Sequence, residues 1–588
     1  MKEKIFKGEN PNSMRDNDEN KDKEKTSTAR KLLKHFRKFD DSFEDEIHVE
    51  QTEEYEFKWK KLWTFTGPAF TMTIAYMAPG NIVSDIQTGT IVGYRLLWLL
   101  LLTTILAIIV QRLAARLGIV TGYHLAEVCQ NEYPTPARYM LWILIETAII
   151  AVNIQEVIGM AIAMHILTNR TLPIPVEIAL GIVDTLIFLL LSNSGLRKLE
   201  LFFGVLITVM IETYGYNYVR INPDMVKMTE GLVFPWCDNC KNSALERAVK
   251  MIGATILPHN LYFHSAIVTS RKIDRSKSEQ IKDANHYEFI QSVIFFIVVF
   301  IINVGLTSVF AAELHGKTNW NIHNLCAESN YSRVDRNVFP KNNNTVEIDL
   351  YSAAIFLACR FPAKIPWPMY AWAIGLFASG LSSTMTSTFT GQFVMFGFLQ
   401  LKWLKWKRIL FTRSVAIVPT LVIAFYTNIQ HLSKLNDFVN AIMSLILPFA
   451  LIPLLTVTSS SEIMGTFKNN RATILTVCCI LFFNIFTNFY FASLLVEKLK
   501  NWSILVAFIL FGIFYILLLL YLVLCSTVIL GVNVISNLPL VSKYAVEDYD
   551  SCRNDLDSNN DDGNENANTF DCKEDFYNYG EVLVLNVF

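Results

Sequence analysis

The sequence predicts an all-α membrane protein of about 12 transmembrane helices, built as two five-span repeats inverted relative to each other. Three observations carry this. Apolar residues make up 52% of the 588 and mean hydropathy is +0.33, too hydrophobic for an ordinary soluble chain. They gather in runs of about 18 to 25 residues, the length that spans a bilayer, as in 174–191, 289–310 and 504–528. Two of the runs are interrupted in related places, at Ala75-Tyr76-Met77-Ala78-Pro79-Gly80-Asn81 and at Ala254-Thr255-Ile256-Leu257-Pro258-His259-Asn260. Proline removes a backbone donor and glycine disfavours helix. Breaking a helix in hydrocarbon is tolerated only where the freed backbone lines a cavity or binds something. Paired interrupted spans in the two halves of a chain point to a transporter's binding site.

Taken in order, residues 1–56 are polar and charged and are expected to form a disordered N-terminal tail rather than a cleaved signal. The membrane domain covers 57–530. Its spans fall near 66–92 (broken), 96–115, 138–166, 174–193, 199–219, 248–269 (broken), 288–312, 369–398, 409–428, 436–457, 472–494 and 502–528. With breaks in spans one and six, each repeat holds an odd number of spans, which inverts the second in the membrane. Residues 531–588 form a second tail, largely disordered and rich in Asp and Asn. The basic loop after span six (Arg271, Lys272, Arg275, Lys277, Lys282) shares a side with the Lys-rich N-terminus, so both tails read as cytoplasmic. The opposite side holds the long loops 220–247 and 313–368, with glycosylation sequons at Asn330 and Asn343, and a third at Asn169 in a short loop. Cys237/Cys240 and Cys326/Cys359 are pairs that can bridge if those loops are extracellular. Trp367/Tyr370 and Trp403/Trp406 read as interfacial anchors.

Ionisable residues inside spans are functional candidates by default. Glu146 and Glu156 lie in span three, Arg413 in span nine, Asp85 in the outer half of span one and Asp184 in span four. His259 and His264 follow the second break; five residues apart, they do not share a helix face. They could hold protons near neutral pH or serve as hydrogen-bonded core histidines. Asp85 reads as a vestibule charge or a cap for its half-helix. No nucleophile arrangement, P-loop or nucleotide fingerprint is present, so an enzyme, an ATP-driven pump, a cofactor and a nucleic-acid partner are not expected.

Longer blocks then identify a family. They include Gln111-Arg112-Leu113-Ala114-Ala115-Arg116-Leu117-Gly118, Gln155-Glu156-Val157-Ile158-Gly159, Pro258-His259-Asn260-Leu261-Tyr262, Ser382-Ser383-Thr384-Met385-Thr386 and Leu447-Pro448-Phe449-Ala450-Leu451-Ile452-Pro453. Across about 57–530 the chain resembles the Nramp family of proton-coupled divalent-metal transporters, most closely its animal members. The resemblance implies a LeuT-like fold, alternating access, an ion held between the broken helices and proton movement through spans three, six and nine. It places metal ligands at Asn81 and at the carbonyls of Ala75 and Ala254. It places a proton route at Glu156 with Arg413 as its partner; the family-matched His259 and His264 could tune protonation beside it, and Glu146 is a further candidate as an intramembrane carboxylate.

The chain departs from the family pattern at the ligands themselves. Ala78 stands where the family has an aspartate and Leu257 where it has a methionine. Val83 replaces a glutamate, and Asn153 the span-three aspartate of proton transfer. Leu381 replaces a glutamine, Phe396 a glutamate, and Met443 and Ile446 the two span-ten glutamines. A buried divalent ion needs compensating charge, and a thioether is the soft ligand that favours Mn or Fe over Ca and Mg. The breaks at Pro79, Gly80 and Pro258 are kept while the coordinating groups are lost. Three functions follow as expectations: divalent-metal transport with reduced or altered substrate use, transport of a harder or uncharged substrate, or a non-transporting scaffold, regulator or receptor. The expected partners are a divalent metal ion, protons and membrane lipid, at the plasma membrane or an endosomal or lysosomal membrane.

Overall fold

The computed structural model describes residues 47–48, 58–181, 187, 195–235, 242–329, 338–363, 365–399, 405–426, 429–498 and 502–530. Asp184, Asn330, Cys237, Cys240 and Trp403 lie outside these residues, as do nearly all of both tails. In chain order the helices are α1 (Trp59–Ala75), α2 (Pro79–Val92), α3 (Leu97–Thr121), α4 (Leu125–Glu132), α5 (Thr135–Leu167), α6 (Ile174–Leu180), α7 (Leu196–Ile221), α8 (Met225–Val233), α9 (Asn242–Thr255) and α10 (Pro258–Ile267). They continue as α11 (Ser278–Leu314), α12 (Asn319–Glu328), α13 (Leu350–Arg360), α14 (Trp367–Leu399), α15 (Lys405–Tyr426), α16 (Ile429–Ser459), α17 (Ser461–Met464), α18 (Arg471–Lys498) and α19 (Trp502–Ile529).

Among the described residues seven helices are long and apolar enough to cross a membrane, within α3, α5, α7, α11, α16, α18 and α19. The two broken spans are present as the pairs α1–α2 and α9–α10. Helix α14, 33 residues long, has a Ser/Thr-rich middle that lowers its hydropathy. Those hydroxyls mostly turn back onto their own helix, as Ser382 to Ala378 O, Thr388 to Thr384 O and Thr390 to Thr386 O. That satisfies them without exposing a polar face. Span seven differs most from its expected edge: α11 begins at Ser278, ten residues before 288. The stretch 278–287 is too polar for a hydropathy window, yet Ile281, Ala284 and Tyr287 are buried at helical spacing and hold it against the bundle.

The main core cluster wraps around α5, α10 and α14, with α2, α11 and α16 closing over it, and a smaller second cluster joins the start of α3 to α9 and α11. Helices α18 and α19 stand at the edge; α19 buries only Tyr515, Leu519, Leu522 and Ser526. Its exposed Ile, Leu and Phe side chains are what a lipid-facing helix presents. The bridge expected as an option in the long loop is present, as a disulfide joining Cys326 in α12 to Cys359 in α13. Asn169 and Asn343 are both exposed.

Candidate transport site

Each break starts a new half-helix with proline at its first position. Pro79 opens α2 behind Ala78, and Pro258 opens α10 behind Leu257; both preceding residues are extended N-caps with no side-chain cap. A proline four residues after a carbonyl leaves that carbonyl without its helical donor. In this chain those carbonyls belong to Ala75 and Ala254, 5% and 1% exposed. The centre therefore receives two positive half-helix N-termini and two negative C-termini. Asn81 ties the first break together by donating from Nδ2 to Tyr76 O at 2.6 Å, a bond that does not use Oδ1.

Neighbouring helices hold the break closely. A Cβ on Gly80 would lie 2.5 Å from Gln155 Oε1, and one on Gly159 would lie 2.5 Å from Pro79 Cβ, so α5 rests directly on the start of α2. Ser379 of α14 donates to Met77 O at 2.6 Å. Asn440 of α16 donates to Gly80 O at 3.2 Å and accepts from Gln155 Nε2 at 3.0 Å. Its own carbonyl lies where a Cβ on Gly253 would come within 2.3 Å. Helix α16 thus touches both broken spans through one residue. Met443 and Ile446 follow it on the same helix, both buried. Among the described residues no group of three His, Cys, Asp or Glu converges in a way that could hold a metal ion.

The titratable candidates separate into two clusters and two isolated groups. In the first cluster Ser387 donates to Glu156 Oε2 at 2.6 Å and lies 3.1 Å from Asn153 Oδ1, while Arg413 Nη1 donates to Asn153 Oδ1 at 3.0 Å. Arg413 therefore reaches the amide that stands where the resemblance has an aspartate. In the second, His264 Nδ1 lies 2.9 Å from Gln111 Oε1, and its Nε2 lies 3.0 Å from Glu288 Oε1. Gln111 donates in turn to the Tyr76 hydroxyl at 2.7 Å, which connects this cluster to the first break. Gln291 also donates to Glu288. His259 and Glu146 join neither: His259 Nδ1 and Glu146 Oε2 are buried without partners. Glu146 is ten residues before Glu156 along α5, about 15 Å at helical rise.

Sequence reasoning missed Glu288. It sits at the expected edge of span seven, and only the earlier start of α11 places it well inside the helix. It also missed two charged clamps. On the side of the loop after α10, Arg271, 1% exposed, donates to Glu200 Oε1 at 2.7 Å and to Thr64 O at 3.0 Å. Arg197 joins the same two groups at 3.0 and 2.9 Å, so α1 is fastened to α7. A parallel pairing of Ile47–His48 with Arg271–Lys272 lies at the same place. On the opposite side Arg247 of α9 donates to Gln87 of α2 and reaches Asp437 of α16 at 3.1 Å, and Lys250 reaches Asp437 at 3.0 Å. Both approaches to the breaks are bridged by charge.

Two broken helices, related by inverted repeats and gripped at both ends, define a membrane transporter fold. The solved structure of MHP1, a nucleobase-cation-symport-1 family transporter, shares that fold: TM-score 0.50 at 11% identity, covering 81% of this chain and 93% of that one. The family model "Natural resistance-associated macrophage protein-like" matches residues 69–494. Human natural resistance-associated macrophage protein 2 is 48% identical over 427 residues, covering 73% of this chain and 74% of that protein. A structure of a manganese transporter of Eremococcus coleocola superposes with TM-score 0.70 at 28% identity, covering 83% of this chain and 98% of that one. The chain belongs to the Nramp family, and so to a family of transporters rather than enzymes.

Proposed function

We propose that this protein is a membrane transporter of the Nramp type that carries divalent metal cations, with a central site weakened for Mn²⁺ and Fe²⁺. The family and its manganese-transporting relatives support metal as the cargo class. The observation that carries the weakening is that Ala78 and Leu257, the residues at the mouths of the two half-helices, bring no ligand atom. The ligand set left to a central ion is Asn81 Oδ1 and the carbonyls of Ala75 and Ala254. None of these carries a negative charge, and burying a divalent ion among neutral ligands is costly. Such a set suits an ion that keeps part of its water, as Mg²⁺ does, better than one that needs direct charged ligands. Protons are the proposed co-substrate, with Glu156 and the His264–Glu288 pair as the groups that would carry them and Arg413 as the fixed positive charge beside Glu156. Both termini are placed on the cytoplasmic side of a plasma, endosomal or lysosomal membrane.

The test is uptake of radiolabelled Mn²⁺ into proteoliposomes by this chain and by Ala78→Asp with Leu257→Met. Each restored ligand is expected to raise affinity at least as much as an outer-shell partner does, tenfold or more, and the pair together about a hundredfold or more. Little uptake by the natural chain with strong saturable uptake by the double variant supports the proposal. Robust saturable uptake by the natural chain overturns it.

A further inference from the structure

Asp85 is the only acidic residue of the first broken span. It lies seven residues beyond Ala78, two helical turns along α2 and on nearly the same face, about 10 Å further from the break. It caps nothing, being well inside α2. It is 3% exposed and its Oδ2 has no hydrogen-bond partner. Carboxylates of the clamp on this side are neutralised: Asp437 by Arg247 and Lys250, and Glu246 by Lys250. A buried carboxylate with neither ion pair nor hydrogen bond is too costly to be a packing residue.

The groups around it point to what fills the gap. Helix α2 packs tightly on α11, since a Cβ on Gly89 would lie 2.2 Å from Thr307 O and 3.0 Å from Ala311 N. Asp85 is one turn before Gly89 and is presented to the same neighbour. Thr307 Oγ1 and Ser308 Oγ on α11 are likewise buried without partners. Other buried threonines of α2, Thr88 and Thr90, bond back to their own helix. One carboxylate with unpaired hydroxyls is a hard oxygen set carrying a single negative charge.

We propose that Asp85, with the Thr307 and Ser308 hydroxyls, forms a second cation site between α2 and α11, charge-matched to a hard monovalent cation such as Na⁺. A divalent ion would leave a net buried charge there. The site is separate from the one between the breaks and stands whether or not the central site binds metal.

The experiment is thermal unfolding of the purified full-length protein in NaCl against choline chloride at equal ionic strength, with ²²Na⁺ binding as a second readout. Na⁺ is expected to raise the unfolding temperature saturably, and Asp85→Asn to abolish the effect. Glu313→Gln, a carboxylate already paired with Arg360 and Lys317, should leave it intact. Should Asp85→Asn fail to fold, Thr307→Val decides: the site requires a loss of ²²Na⁺ affinity of roughly tenfold. Absence of any Na⁺ dependence in the natural chain, as when a proton alone neutralises Asp85, overturns the proposal. So does a Na⁺ effect unchanged in Asp85→Asn, or in Thr307→Val if that variant has to decide.

Discussion

Replacing Arg271 with alanine tests whether the clamp beside α1 holds that helix shut. The guanidinium makes three bonds from a buried position, to Glu200 Oε1 at 2.7 Å, Thr64 O at 3.0 Å and Ser270 Oγ at 3.0 Å. Removing one member of a buried ion pair costs about 3–5 kcal/mol because the remaining charge is stranded. Here Glu200 keeps Arg197 at 3.0 Å, but that side chain is 43% exposed and its contribution is screened. The expected loss is therefore at the lower end, about 3 kcal/mol. Arg271→Lys should recover only part of it, since a single ammonium cannot reproduce the planar fork. With Thr64 O then held by the half-exposed Arg197 alone, α1 should loosen from α7. Spin labels at Trp63→Cys on α1 and the exposed Leu201→Cys on α7, in a background that keeps only Cys326 and Cys359 of the natural cysteines, would report a longer and broader distance distribution. An Arg271→Ala protein with unchanged unfolding temperature and unchanged distances would refute the clamp.

Two further outcomes follow from named contacts. Arg413→Ala should leave the buried Glu156 cluster without its cation and cost about 3–5 kcal/mol, and adding Glu156→Gln should recover most of that loss. A double-mutant cycle with no coupling between the two positions would show that Ser387 and Asn153 do not link them. Cys326→Ser opens a disulfide that closes 33 residues, which loop-closure entropy values at roughly 3.7 kcal/mol. Reductant should lower the unfolding temperature of the natural chain and leave the variant unmoved; an equal response in both would refute a stabilising bridge.

Much of the architecture is legible in the sequence because the bilayer imposes a length and a polarity on every span. The breaks are legible because proline acts through covalent geometry: Pro79 and Pro258 begin α2 and α10 whatever surrounds them. Residues that act through tertiary contact are not legible in the same way. Glu288 falls on the first residue expected of span seven, and only the buried stripe Ile281, Ala284 and Tyr287 shows that the helix begins ten residues earlier and holds it well inside. Arg271 counted only as positive charge that orients the chain, and Arg247 and Lys250 had no partner in sequence, because Asp437 is 190 and 187 residues away. The grouping of Glu146 with Glu156 by shared span also dissolves, since only Glu156 reaches the Asn153–Ser387–Arg413 cluster.

The departures from the family pattern have a common electrostatic sense. Half-helix N-termini are positive, and an aspartate at position 78 would meet the amides of α2 as well as any cation between the breaks. With Ala78 that end of α2 keeps its positive field, and Leu257 leaves the start of α10 in the same condition. The negative C-terminal carbonyls of Ala75 and Ala254 remain, so the centre retains dipoles but no net negative charge. Asn153 removes a second carboxylate, this time beside Arg413. The carboxylate that persists on the broken span, Asp85, lies outward of the centre and unpaired. On the proposed reading, negative charge is absent from between the breaks and present at the α2–α11 seam.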